Sequence, residues 1–499
     1  MKTENRRWWA LSAIVLSVLV VGLDATVLNL ALPTLSADLG ASTSQLQWMV
    51  AGYTVVFGAL QLPAGLLGDR YGRKRLMMGG LAFFGLASLL AAEAGSPGEL
   101  IAARLIMGIG AAVIMPLSLS VLPSIFSPEE RSRAVAITSG AMGLALPLGP
   151  ILGGYLLEHF WWGSVFLINV PVSAIALVAT VLFLPESKAA ERPRLDVPGA
   201  VLSATGLAVL IYGVIEVSDR GWGDVRVLSL ISAGAIILAA FGWWQRRATS
   251  PMMDLSLFRN RTFLWGVVAA TTGGLAMTGA LFVVPTYLQV VLGNDTLGSG
   301  VRLVPMMLGL MVGAVASDPL TKRIGIKPMV LAGLAVFAAG FTAGAFTGTG
   351  TGYGYVAGWL TVIGIGTGLT IVPATDVVLG TLPAHQTGVG SGLIQTLDQA
   401  GGAFGAAALG SVLASVYTAH LGPHAPAQAR ESVAAAAQLH DPALLRTAHS
   451  AYITAMDSVL GWSAATLVAI AVLVAVFMPR RAAEPAADTA EFKDDNVLV

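Results

Sequence analysis

Apolar runs long enough to cross a lipid bilayer follow one another from residue 10 to residue 478 with little between them. A hydrocarbon core about 30 Å thick needs roughly 20 such residues per helical crossing. Inside it every backbone donor and acceptor must be paired within the protein, which leaves helices or closed barrels. Barrel strands show as alternating segments of about 10 residues; these runs are unbroken, so the chain is read as helical. Polar residues, Gly and Pro divide it into fourteen spans. Composition agrees, with 55% of the 499 residues hydrophobic and 11% charged, against about 25% charged in soluble domains. The opening MKTENRRWWALSAIVL has the basic head and apolar run of a signal peptide, yet the run outlasts an h-region and is read as the first span.

An even number of spans puts both termini on one side, and Lys and Arg indicate which. With the N-terminus cytoplasmic, 22 of the 28 Lys and Arg fall in cytoplasmic segments, five fall outside, and Arg104 lies within a span. The expected location is a membrane crossed many times, with both termini cytoplasmic. A formal net charge of zero offers no global field for nucleic acid. The absence of Cys excludes disulfides and thiolate metal sites. DRYGRK at 69–74 is echoed by KRIGIK at 322–327, pairing Arg70 with Arg323, Gly72 with Gly325 and Lys74 with Lys327. That offset of eight spans predicts two six-helix bundles, 1–194 and 246–479, with two inserted spans in 195–245 and a disordered acidic tail at 480–499. Paired halves are how many secondary transporters frame a central site.

Asp24 interrupts the first run, SVLVVGLDATVLNLALP, near its middle. A central carboxylate costs about 2.5 to 3.5 kcal/mol to insert, and such groups usually face a bundle interior or a water-filled cavity. It is tolerable if it can be neutral part of the time, which makes Asp24 a candidate for taking up and releasing a proton; the alternative is a neutral acid bonded to a neighbouring helix. Asp398, in LIQTLDQAGGAFG, repeats the anomaly in the thirteenth span. Arg104, in ELIAARLIMGIGAA, is the sole basic residue within a span and cannot be discharged. It reads either as a fixed charge for a nearby acid or as a clamp on loop carbonyls at a helix end. GAMGLALPLGPILGG, 140–154, concentrates Gly and Pro. There Gly149 and Gly153 permit close helix approach, and Pro147 and Pro150 each delete a backbone donor.

Enzyme patterns are missing. No Lys follows a Gly, so there is no P-loop, and no His-Glu-x-x-His pair occurs. His420, His424, His440 and His449 cluster in the segment before the last span, but their spacing matches no tight ligand set and no metal is expected. Trp48, Tyr53, Asn169, Tyr287 and Gln289, joined by Asn29 and Gln395, are the expected wall of a substrate cavity, its aromatic members suiting flat lipophilic or cationic ligands.

With these residues in place, the chain resembles a known family. GLLGDRYGRKR, 65–75, is similar to the loop motif of the major facilitator superfamily; LDATVLNLALP, 23–33, to the first-helix motif of its fourteen-helix drug:proton antiporter branch. ARLIMGIGAA, 103–112, resembles the fourth-helix arginine motif, and GLALPLGPILGG, 143–154, the fifth-helix antiporter motif; WMVAGY and LINVP fit the same branch. The resemblance implies the major facilitator fold and export of lipophilic, often cationic drugs or antibiotics in exchange for protons. It implies a bacterial cytoplasmic membrane, a monomer, and no cofactor beyond the coupling proton. It carries Asp24 and Asp398 over as proton or cation sites and Arg104 as a relay residue. Gly65, Asp69, Arg70, Gly72 and Arg73 become a loop controlling the conformational change, and Pro147, Gly149, Pro150, Gly153 and Gly154 a leak-preventing helix. Lys322 stands where the first loop has Asp69, which predicts asymmetric gating. A narrow exporter of one metabolite, a proton-coupled importer, and a membrane receptor or scaffold are the rival readings.

Overall fold

The computed structural model describes residues 3–41, 43–188, 196–249, 251, 255–348, 350–382, 387–422 and 425–479. Among these residues fourteen long helices carry the fold. They are α1 (Thr3–Leu39), α2 (Thr43–Tyr71), α3 (Arg73–Ala92), α4 (Pro97–Ser120), α5 (Pro128–His159), α6 (Ser164–Phe183) and α7 (Val197–Ile215). Then come α8 (Val225–Arg247), α9 (Arg261–Val291), α10 (Gly298–Ile324), α11 (Ile326–Gly344), α12 (Tyr353–Thr381), α13 (Thr387–Leu421) and α14 (Pro442–Phe477). Among the described residues thirteen are apolar and long enough to cross a membrane. The remaining one, α5, has 32 residues, about 48 Å at 1.5 Å per residue. No strand occurs among the described residues, and the all-α expectation holds.

Helix starts follow their sequences. Ser96 accepts from the Glu99 N–H ahead of α4, whose first residue is Pro97. Asp224, Asn260 and Asp441 accept from first-turn N–H groups of α8, α9 and α14, donors that have no partner within the helix. After Pro285, α9 widens into a π-helical turn over Tyr287–Val291.

Two large apolar cores form among the described residues. The first gathers mainly α1 to α6, around Met49, Met77, Leu81, Phe84 and Phe166; the second gathers α9 to α14, around Tyr287, Phe337, Phe341 and Met456. The sequence echo has a structural counterpart. Gly72 (φ 108°) and Gly325 (φ 86°) open α3 and α11 with backbones that side chains disfavour. Lys74 Nζ donates to the Val181 carbonyl near the end of α6 (2.7 Å), and Lys327 Nζ to the Met478 carbonyl at the end of α14 (2.6 Å). Each lysine thus satisfies a carbonyl that its helix end leaves open.

Helices α7 and α8 pack on each other where Gly213 and Gly234 let the backbones approach. Asp196 ties the start of α7 to the end of α8 by accepting from Trp244 Nε1 (2.8 Å) and Gln245 Nε2 (2.6 Å). The pair lies over the seam between the two cores: Leu207 and Ile211 of α7 pack with Ala59 of α2 and with Ala400 and Ala403 of α13.

Candidate functional site

The strongest intramembrane charges meet where α1, α2, α4 and α6 converge. Arg104 Nη1 donates to Asp24 Oδ2 at 2.5 Å, and its Nε donates to the Met49 carbonyl at 3.2 Å. Asn169 Nδ2 donates to Asp24 Oδ1 at 3.0 Å, and the guanidinium carbon stands 4.1 Å from the centre of the Tyr53 ring. Asp24 and Arg104 are each 2% exposed. Arg104 thus stands against an acid, as one sequence reading expects, while the carbonyl it reaches belongs to Met49 inside α2 and not to a loop. Separating the two would leave a buried charge without its partner.

Asp398 stands in a different place. It lines a cavity of about 340 Å³ between the two cores, bounded by α1, α4, α5, α9, α10, α12 and α13. Its Oδ1 is buried with no hydrogen-bond partner. Gly274 of α9 faces it, with Oδ1 at 3.5 Å from where a Cβ would sit. Met115, Met142 and Met277 line the same space from three helices, with Gln395 and Gln399 beside the acid.

At one end of the bundle, below this cavity, the two cores are latched. Asp69, at the end of α2, accepts from Arg73 Nε (3.0 Å) and Nη2 (2.6 Å), and also from the N–H groups of Gly388 and Val389 (both 3.1 Å) in the first turn of α13. The carboxylate satisfies open donors of a helix in the other core and faces the positive end of its dipole. The crossing is close: a Cβ on Gly65 would collide with the Gly388 carbonyl oxygen. Ser391 Oγ donates to the Pro116 carbonyl (2.8 Å), and Arg131 of α5 pairs with Asp376 of α12 at 2.5 Å. Gly72 packs against the Glu186 carboxylate, and Arg70 lies over Tyr71 at 5.6 Å. In the second loop Lys322 bonds back to Asp318 within its own helix (2.8 Å).

Gly149 brings α5 onto α1, because a Cβ there would strike the Thr26 hydroxyl; Thr26 Oγ1 in turn donates to the Ala145 carbonyl (3.2 Å). Gly153 is buried and Gly154 half-buried. The side chains of Pro147, Pro150 and Asn29 lie outside the described residues.

The residues expected on a cavity wall are spread over several places. Gln395 is on the wall of the cavity between the cores, whereas Trp48, Tyr53, Asn169, Tyr287 and Gln289 are not. Trp48 is 42% exposed and stacks on Tyr212 of α7, as aromatics near span ends often do. Tyr53 and Asn169 serve the Asp24–Arg104 pair, Tyr287 is buried in the second core, and Gln289 is exposed on the π-helical turn. Residues passed over in the sequence include Asp376, which latches the two cores, and Asp457 of α14, whose Oδ1 is buried without a partner. Both were legible by the rule that flagged Asp24, an acid inside an apolar span.

Two packed helical cores with a cavity at their seam are the arrangement with which many secondary membrane transporters frame a central site. The sequence profile of the Major Facilitator Superfamily matches residues 14–406, and the chain belongs to that family. It is 34% identical over 413 residues to a tetracenomycin C resistance and export protein of Streptomyces glaucescens, covering 83% of this chain and 77% of that one. A puromycin resistance protein of Streptomyces alboniger is 32% identical, covering 84% of each chain. A methyl viologen resistance protein of Salmonella typhimurium is 33% identical, covering 87% of this chain and 88% of that one. Among solved structures, a proton:xylose symporter superposes with a TM-score of 0.59 at 15% identity over 96% of this chain and 97% of its own. A human organic anion transporter does so with 0.59 at 17% identity, over 94% and 100%. These two likenesses concern the fold.

Proposed function

We propose that the chain exports lipophilic, often cationic small molecules from the cytoplasm in exchange for protons, by alternating access. One observation carries the reading: Asp398 places an unpartnered carboxylate oxygen on the wall of the cavity between the two cores. A group so placed can hold either a proton or a cationic substrate, and competition for it couples the two. Relatives named for resistance and export support the direction of transport. Lys and Arg concentrated at the latched end support a cytoplasmic position for it and for both termini. The halves are assigned to 1–194 and 246–479, with α7 and α8 inserted; the tail at 480–499 lies outside the described residues.

The latch then acts as the cytoplasmic gate. While Asp69 holds the first turn of α13, the cavity is closed from below; its release opens the cavity inward. Asp24, held on one oxygen by Arg104 and on the other by Asn169, sets the geometry of the first half. Relatives named for single antibiotics favour a second reading, a narrow exporter working by the same device.

Inverted membrane vesicles with an imposed pH gradient test this. Adding a transported dye or antibiotic should dissipate the gradient in the native protein and leave it unchanged in Asp398→Asn, with the variant eluting as a folded species. Undiminished proton movement in that variant would rule out Asp398 as the coupling acid.

A further inference from the structure

The cavity wall carries more hydrogen-bond acceptors than donors, and this bears on which substrates the proposed export site takes. Four lining threonines have their single hydroxyl proton committed to a carbonyl: Thr26 to Leu23 (3.0 Å) or Ala145 (3.2 Å), Thr138 to Ala134 (2.9 Å), Thr278 to Gly274 (3.0 Å) and Thr367 to Ile363 (2.8 Å). Each oxygen keeps lone pairs and has no proton left to give. Asp398 Oδ1 adds an acceptor with no partner. Donors come from the Gln395 and Gln399 amides and the Ser139 and Thr375 hydroxyls, all of which also accept. Among the described lining residues there is no Phe, Tyr or Trp and no Lys, Arg or His.

Two kinds of lipophilic cation meet this wall differently. A quaternary ammonium has no N–H and is held best by aromatic faces, which the wall lacks. A protonated amine brings N–H donors that threonine oxygens and the Asp398 carboxylate can accept; without them, buried acceptors stay unpaired at a cost. The methionines of α4, α5 and α9 can meet the rings of such a ligand through sulfur contacts.

Building on the export reading, we infer that this cavity selects protonated lipophilic amines over quaternary ammonium ions of the same size and shape. The discriminating residues are Thr138 and Thr278, one from each half, with Asp398 supplying the countercharge.

The test uses a tricyclic tertiary amine, protonated at pH 7, and its N-methyl quaternary salt. Binding of each to the purified full-length protein is measured by calorimetry, and export of each is followed in vesicles. The amine should bind at least tenfold more tightly. Thr138→Val with Thr278→Val should shrink that ratio threefold or more, while Thr138→Ser with Thr278→Ser, which keeps both oxygens, should preserve it. Equal affinities, tighter binding of the quaternary ion, binding of neither, or a ratio unmoved by the valine pair would overturn the inference. A tenfold binding preference without export of either compound would uphold the selectivity and remove the export reading; export of both at equal affinity would do the reverse.

Discussion

At the scale of single residues, the two acids singled out by one rule have separate surroundings. Asp24 is surrounded by donors and closed off, whereas Asp398 faces a cavity with an oxygen unpartnered. Sequence could flag both, because a carboxylate in an apolar span is visible in one dimension. It could not separate them, because Asp24 meets Arg104 across 80 residues and Asn169 across 145. The buried pair leads to a stability prediction. Arg104→Gln strands a carboxylate and should cost about 3 to 5 kcal/mol, seen as a lower thermal unfolding midpoint of the purified protein. Asp24→Asn in the same chain should recover part of that loss, since contacting groups couple by about 0.5 to 3 kcal/mol. Strictly additive losses would show that the pair is not a unit.

Among the helices, their presence and starts were readable, while their neighbours were not. Apolar length fixed the spans, and Ser96, Asp224, Asn260 and Asp441 mark where helices begin. Nothing in α7 and α8 announces that they cover the seam between α2 and α13, since Leu207 and Ile211 look like any lipid-facing residues. At the end of the bundle opposite the latch this insert is fastened twice. Trp48 of α2 stacks on Tyr212 at 5.4 Å, and Trp222 Nε1 donates to Ser411 Oγ of α13 at 3.1 Å, with Phe404 edge-on. Just past α7, the Tyr212 hydroxyl and then Arg220 hold the Glu216 carboxyl below the usual carboxylate range, keeping that corner charged. If the halves rock, the insert must slip on one of them, and its broader packing on α2 than on α13 makes α13 the moving partner. Joining Trp222→Cys to Ser411→Cys with a bis-thiol reagent about as long as the lost indole and carrying a cleavable disulfide, selective because the chain has no other Cys, should slow export tenfold or more and release it on reduction. Full export by the cross-linked protein would mean that the insert travels with α13.

Over the whole molecule, charge placement bears on how many protons move. On the export reading, Asp24 is bonded to Arg104, and among the described lining residues the cavity presents one carboxylate, Asp398. One exchangeable acid would then give one proton per cycle. Exchange of a monovalent cation for one proton then carries no net charge, and the driving force is the pH gradient alone, about 1.4 kcal/mol per unit. A second proton would make the cycle electrogenic and add about 2.3 kcal/mol per 100 mV. The expected result is that uptake of a monovalent cation into inverted vesicles, at a fixed pH gradient, does not change when valinomycin and potassium set the membrane potential anywhere from zero to 100 mV. A neutral substrate carried by the same cycle should respond to potential, because its proton would cross unbalanced. Export of the monovalent cation that rises with potential would require another titrating group, and Asp457, buried in α14 with an oxygen unpartnered, would be the residue to replace next.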